Sequence, residues 1–166
     1  MTIERTEPAF VLDERPMLES WLEYHRATLL WKCEGLSDTQ LKRRSVEPST
    51  MSLLGLVRHM AEVERNWFRR VLAGEDAPGV YYDDENPDGD FDLADRADAA
   101  SDLEHFDGEV AAARAIAAVH ELDDTGIRHG EPCSLRWIYV HMIEEYARHN
   151  GHADFLRERI DGSTGD

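Results

Sequence analysis

The chain has 166 residues, 42% hydrophobic and 32% charged, the balance of one globular domain that can bury a core without disulfides or a structural metal. Its 35 acidic residues outnumber 18 basic ones, for a net charge of −17. Such a surface repels a phosphate backbone and an anionic bilayer, so neither nucleic acid nor membrane is an expected partner. No apolar run approaches the ~20 residues needed to span a bilayer. The opening MTIERTEPAF lacks the apolar stretch of a secretory signal, which makes a cytoplasmic location the expectation.

Four long helical segments follow one another along the chain. The first is expected at Arg15–Glu34, with Pro16 in the first turn, where its missing N–H costs nothing, and Gly35 as the stop. Leu18, Trp21, Leu22, Leu29 and Trp31 supply its apolar positions. Ser37 to Gln40 has the capping-box pattern of a short helix ending near Arg44, and Glu47-Pro48-Ser49-Thr50 breaks the chain. The second long helix is expected at Ser52–Ala73, where Leu53, Leu56, Val57, Met60, Val63, Trp67 and Val71 recur at three- and four-residue spacing. Residues 75–96 carry many acids, two prolines and two glycines without a sustained period, and read as a long acidic loop whose Tyr81, Tyr82 and Phe91 pack part of it down. The third helix is expected at Ala99–Glu121, rich in alanine. Leu122 to Pro132 reads as a loop. Ser134 is a fitting N-cap for the fourth helix, Leu135–Ile160, which Gly162 ends, leaving 161–166 as a frayed tail. No period-two strand pattern and no phosphate-binding glycine spacing is visible. The expected fold is therefore all-α, a four-helix bundle in a single domain spanning 1–166. Cys33 and Cys133 are far apart and form no CxxC pair, so both are expected as free thiols, Cys33 in the core.

The segment HMIEEYARHNGHAD carries the chemistry. His141, Glu145, His149 and His152 are spaced by four, four and three residues, which keeps them on one face of a helix. Polar side chains on the inner stripe of a helix are costly to bury unpaired, and a shared cation removes that cost. Glu145 and His149 lie one turn apart, about 6 Å along the axis, and can reach one ion from the same side. A third ligand must come from a neighbouring helix, and His59, beside Leu56 and Met60, is the best placed. Two histidines and a carboxylate suit zinc, nickel or iron rather than calcium or magnesium. The same spacing also occurs on helices as a solvent-facing pair. His25, His105, His120 and His129 have no partners at ligand spacing and are expected at surface or capping positions.

The run LRWIYVHMIEEYARHNGHADFLRERIDG, with SLLGLVRHMAEVERNWF before it, resembles the DinB-like superfamily, nearest to its actinobacterial mini-circle branch. The resemblance covers nearly the whole chain. It implies a DinB/YfiT-like four-helix bundle, a metal triad and a homodimer. One histidine on the second helix and His-xxx-His on the last form the commoner triad. Here Glu145 stands at the first position of that pair, a departure that matches the related mycothiol-dependent maleylpyruvate isomerases. The resemblance thus assigns His59, Glu145 and His149 to the metal; His141 and His152 do not match triad positions and are, with Arg148, candidates for supporting residues around it. It also implies a mycothiol-type thiol as cosubstrate and an electrophile as its partner. The thiol would ionise on the metal and attack the electrophile, as a transferase or isomerase requires. Arg148, Arg136 or Arg58 could hold a carboxylate of either. Against this stand a non-catalytic, metal-binding or stress-related bundle and an interaction protein without metal, because fold does not fix function.

Overall fold

A computed structural model describes residues 3–165, and the chain is mostly helical with one small two-stranded sheet. Helix α1 spans Glu14–Cys33 and turns Leu22, Leu29 and Cys33 into the core. Trp21, expected among the apolar positions, instead lies at the surface. Helix α2, Asp38–Leu41, begins with the expected capping box: the Ser37 hydroxyl accepts from the Gln40 N–H, and the Gln40 side chain accepts from the Ser37 N–H. Helix α3 spans Leu53–Glu64, capped by the Ser52 hydroxyl on Gly55 N–H at 3.0 Å. It continues as a π-helical stretch, Arg65–Leu72, whose wider turn the apolar spacing does not reveal.

Residues 75–96 contain more structure than the expected loop. Helix α4, Gly89–Asp92, and a 3₁₀ turn, Ala94–Arg96, close the segment, and Tyr81 and Phe91 pack against the core. Helix α5, Ala99–Ala118, is capped by Asp98, which accepts from Ala100 and Ser101 N–H. It stops three residues short of the expected end. Leu122 to Pro132 is not a plain loop: strands β1, Thr125–Arg128, and β2, Glu131–Ser134, form an antiparallel hairpin in register Thr125↔Ser134 to Arg128↔Glu131. Its turn, His129-Gly130, has φ of 51° and 85°, the left-handed pair that two-residue hairpins require and that Asn-Gly usually signals. Gly126 takes the inward position because β1 lies against the π-helical stretch, where a Cβ would sit 1.8 Å from the Val71 carbonyl oxygen. A glycine facing inward and Ile127 facing solvent conceal the strand alternation.

Helix α6, Leu135–Asp161, starts at Ser134, whose hydroxyl accepts from Trp137 N–H, and ends at Gly162 with φ of 82°. The backbone of the tail through Gly165 returns to α1, where Lys32 donates to the Gly165 carbonyl. Asp166 lies outside the described residues. Helices α1 and α6 run in the same direction, as the pairs Glu14–Arg136, Glu19–Tyr139, His25–Asn150 and Lys32–Arg157 show. Helix α3 packs on α5, α6 and α1, with Leu53, Leu56, Met60, Ile138, Met142 and Tyr146 fully enclosed. Among the described residues no helix is long and apolar enough to cross a membrane.

Candidate metal centre

Helix α6 carries His141, Glu145, His149 and His152 on one stripe, and the carboxylate of Glu145 lies between two imidazoles. Its oxygens are 3.4 Å from His141 Nε2 and 3.4 Å from His149 Nε2. Helix α3 brings His59 against His149, ring centroids 4.7 Å apart and inclined at 63°. One ligand atom each from His59, Glu145 and His149 lies within 4.8 Å of the others. Atoms held at about 2.1 Å from a tetrahedral ion lie roughly 3.4 Å apart. The Glu145–His149 pair already meets that spacing, and small rotations would close the rest, so the donor set fits a first-row divalent ion. The side chains are 26%, 24% and 12% exposed for His59, Glu145 and His149, which leaves one side open to solvent. Burial, then the neighbouring His59, His152 and Arg148, push the His149 pKa down to about 4. Its imidazole is therefore neutral near pH 7, with a lone pair to offer.

Asp90, which the sequence did not single out, completes the arrangement. Its carboxylate lies 2.7 Å from His59 Nδ1. An ionised carboxylate can only accept, so Nδ1 carries the proton and Nε2 keeps its lone pair, the orientation that metal-binding histidines commonly receive from a carboxylate. Asp90 is itself held. Its side chain accepts from Phe91 N–H at 3.0 Å, and its carbonyl accepts from Arg58 Nε at 2.9 Å. Phe91 lies over His59 at 5.0 Å and approaches α3 where Gly55 has no side chain; a Cβ there would sit 2.9 Å from the ring. Glu62 fastens the preceding turn by accepting from Val80 and Tyr81 N–H at 2.5 and 2.6 Å. No periodicity marks Asp90 among the many acids of this segment; only its fixed position beside His59 does.

The expected supporting residues divide. His152 lies 3.4 Å from His149 through their Nδ1 atoms. His141 touches Glu145 and is stacked on Trp137 at 4.9 Å, with the edge-on Trp67 at 4.5 Å completing a three-ring cluster. Arg148 instead turns outward to Glu144. Glu144 also belongs to a second possible ligand group, with His141 and Glu145. That set lies on a single helix, and its Glu144 is taken by Arg148. Arg58 is buried and bonded to the Asp90 and Gly89 carbonyls and to Asp102. Arg136 is paired with Glu14 and Asp123 at the start of α6. Arg58 and Arg136 therefore have all three guanidinium nitrogens engaged, while Arg148 engages one and is otherwise exposed. His120 bonds the Ile116 carbonyl at the end of α5, His105 lies beside Glu109, His25 beside Trp21, and His129 occupies the hairpin turn.

A family model of mycothiol-S-transferases matches residues 17–162. No curated protein and no solved structure matches significantly. The family match runs from the first turn of α1 to the glycine that stops α6, and takes in His59, Asp90, Glu145 and His149. The chain belongs to the mycothiol-S-transferase family of DinB-like proteins.

Proposed function

We propose that the protein is a metal-dependent transferase or isomerase that joins a mycothiol-type thiol to a small electrophile. The observation that carries this reading is the convergence of His59, Glu145 and His149 from two helices in a chain whose family is described by mycothiol transfer. These three residues would hold zinc, nickel or iron, and a bound cation would favour the ionised form of a coordinated thiol. The chain's own groups prepare the site. Asp90 fixes the tautomer of His59, His141 and His152 orient Glu145 and His149, and Trp67 and Trp137 pack against His141. In this reading the four long helices are the family's four-helix bundle, working as a cytoplasmic homodimer without nucleic acid.

A second reading, a metal-binding bundle without catalysis, is favoured by one observation: Arg58 and Arg136 have every guanidinium nitrogen engaged and Arg148 turns outward to Glu144. Metal analysis after loading with zinc, followed by consumption of mycothiol with a generic electrophile, separates the two. The proposal expects one ion per chain and thiol turnover, and the loss of both in His149→Ala. That variant should retain a melting temperature close to that of the metal-free parent, because the core is apolar. Metal without turnover supports the second reading. Full metal stoichiometry in His149→Ala overturns the triad.

A further inference from the structure

A cleft of about 400 Å³ opens between the β1–β2 hairpin and the π-helical stretch, lined among others by Asn66, Arg70, Asp76, Arg128 and His129. Two features of the cleft bear on what it can hold. Many arginines of the chain are paired with carboxylates, while Arg43, Arg44, Arg96 and Arg159, scattered elsewhere, form no ion pair among the described residues. Arg70 and Arg128 make no ion pair among the described residues. Arg70 donates to the neutral Tyr82 hydroxyl at 3.1 Å, and Arg128 lies over the Trp67 ring at 5.1 Å, unpaired even with its cross-strand partner Glu131. Of the two acids at the cleft, Glu75 is neutralised by Arg69 at 2.7 Å. Two guanidiniums thus face one unpaired carboxylate, Asp76.

The second feature is position. Arg128 shares a strand face with Gly126, the residue that lets β1 lie directly on the Val71 backbone, so its backbone is held firmly. The Trp67 ring that it covers also meets His141 at 4.5 Å, and His141 touches Glu145. Trp67 therefore connects Arg128, which lines the cleft, to His141 beside the candidate metal centre.

We propose that this cleft binds an anionic group, a carboxylate or a phosphate, carried by the electrophile. The role of the electrophile rests on the function proposed above; the anion site itself does not. Guanidinium groups bind such oxyanions through two parallel N–H donors. Asn66 adds a neutral donor and the hairpin turn adds His129. The acidic surface elsewhere would deflect the same anions, so the cleft selects as well as binds.

The test begins with the metal-free protein, titrated by calorimetry and tryptophan fluorescence with succinate, with inorganic phosphate and with neutral succinamide. Succinate or phosphate should bind, more weakly as salt rises, and succinamide should not; the tighter anion identifies the group. Arg128→Gln should lower affinity about tenfold, roughly the weight of one charge-assisted contact, and Arg128→Lys should restore part of it. Arg70→Gln should weaken binding less, Asp76→Asn should strengthen it, and Arg43→Gln, outside the cleft, should leave it unchanged. In the zinc-loaded protein with mycothiol, Arg128→Gln should raise KM for an acidic electrophile with little change in kcat, and leave a neutral electrophile unaffected. Equal binding of succinate and succinamide, or unchanged affinity in both arginine variants, overturns the proposal. Absence of thiol turnover would defeat the transferase reading but leave the titration standing.

Discussion

Helices α3 and α6 carry two polar clusters only a turn or two apart, built on opposite principles. In the first, Arg26 of α1 donates to both oxygens of Glu64, at 2.8 and 2.6 Å, and to Glu23 at 2.7 Å, while the Tyr146 hydroxyl donates to Glu64 at 2.7 Å. Glu64 and Tyr146 are fully enclosed and Arg26 nearly so. Burial pushes the Tyr146 pKa well up, and the Glu64 carboxylate, outweighing burial, holds Arg26 firmly charged. Donors and acceptors match, so the cluster is closed. In the second, His59, Glu145 and His149 present acceptors to one another, with a side open to solvent. Matched charges in a sealed core connect helices; lone pairs that converge without a donor between them form a place for a cation. Burial alone would single out the closed cluster rather than the open one.

The sharpest way to break the comparison is to open the closed cluster. Glu64→Ala leaves the Arg26 guanidinium buried and unpaired and should cost about 3–5 kcal/mol, a fall in Tm of roughly 10 °C or more for a chain of this size. Urea unfolding of the metal-free protein measures it. Replacing both partners, Arg26→Met with Glu64→Leu, should recover most of the loss, because the penalty belongs to the stranded charge. A small loss in Glu64→Ala would mean that water reaches Arg26 and that the cluster is not sealed.

Asp90→Asn tests the open cluster with a smaller effect. The amide keeps the shape but not the charge that fixes the His59 tautomer, so zinc affinity should fall about 10–100-fold. Competition with a chromophoric chelator reads that change, while the Tm of the metal-free protein should move little. Unchanged affinity together with a lower Tm would make Asp90 an anchor of its loop rather than a support of His59.

The degree to which each part could be read from the chain follows from the range of the forces involved. Helix ends set by local chemistry were legible: Ser37 and Ser134 cap as their spacing implies, and Gly162 stops α6. The stripe on α6 was legible because periodicity is local, and His59 because its helix position aimed it at the core. The hairpin was not, because its inward residue is a glycine chosen by the backbone of another element, and its turn uses His-Gly. Asp90 was hidden for a related reason. What singles it out is a contact 31 residues away, and one acid among many carries no local signal. Arg58 was misread for the converse reason, since its occupation by Asp90, Gly89 and Asp102 depends on the fold of the 75–96 segment.

The smallest expected effect lies at the rim of the closed cluster, where Glu23 connects Arg26 to Arg114. Burial raises the Glu23 pKa, but the hydrogen bond from Arg114 and the charges of Arg26 and Arg114 outweigh it, and the net shift is downward from 4.5. A carboxyl whose pKa is depressed by folding contributes stability above its unfolded pKa, near 4.5, and loses that contribution as the pH falls through the lower folded value. The Tm gap between the parent and Glu23→Gln should therefore be widest near pH 7 and shrink as the pH falls below the unfolded value. Glu23 remains 41% exposed, so solvent and salt screen the interaction, and the gap should correspond to no more than about 1 kcal/mol. It should also narrow when salt is raised at pH 7, as a rim charge requires and a sealed one does not. A gap that persists unchanged as the pH falls well below 4.5 would show that Glu23 acts through the packing of its stem rather than its charge, and the line between the sealed centre and its titratable rim would have to be redrawn.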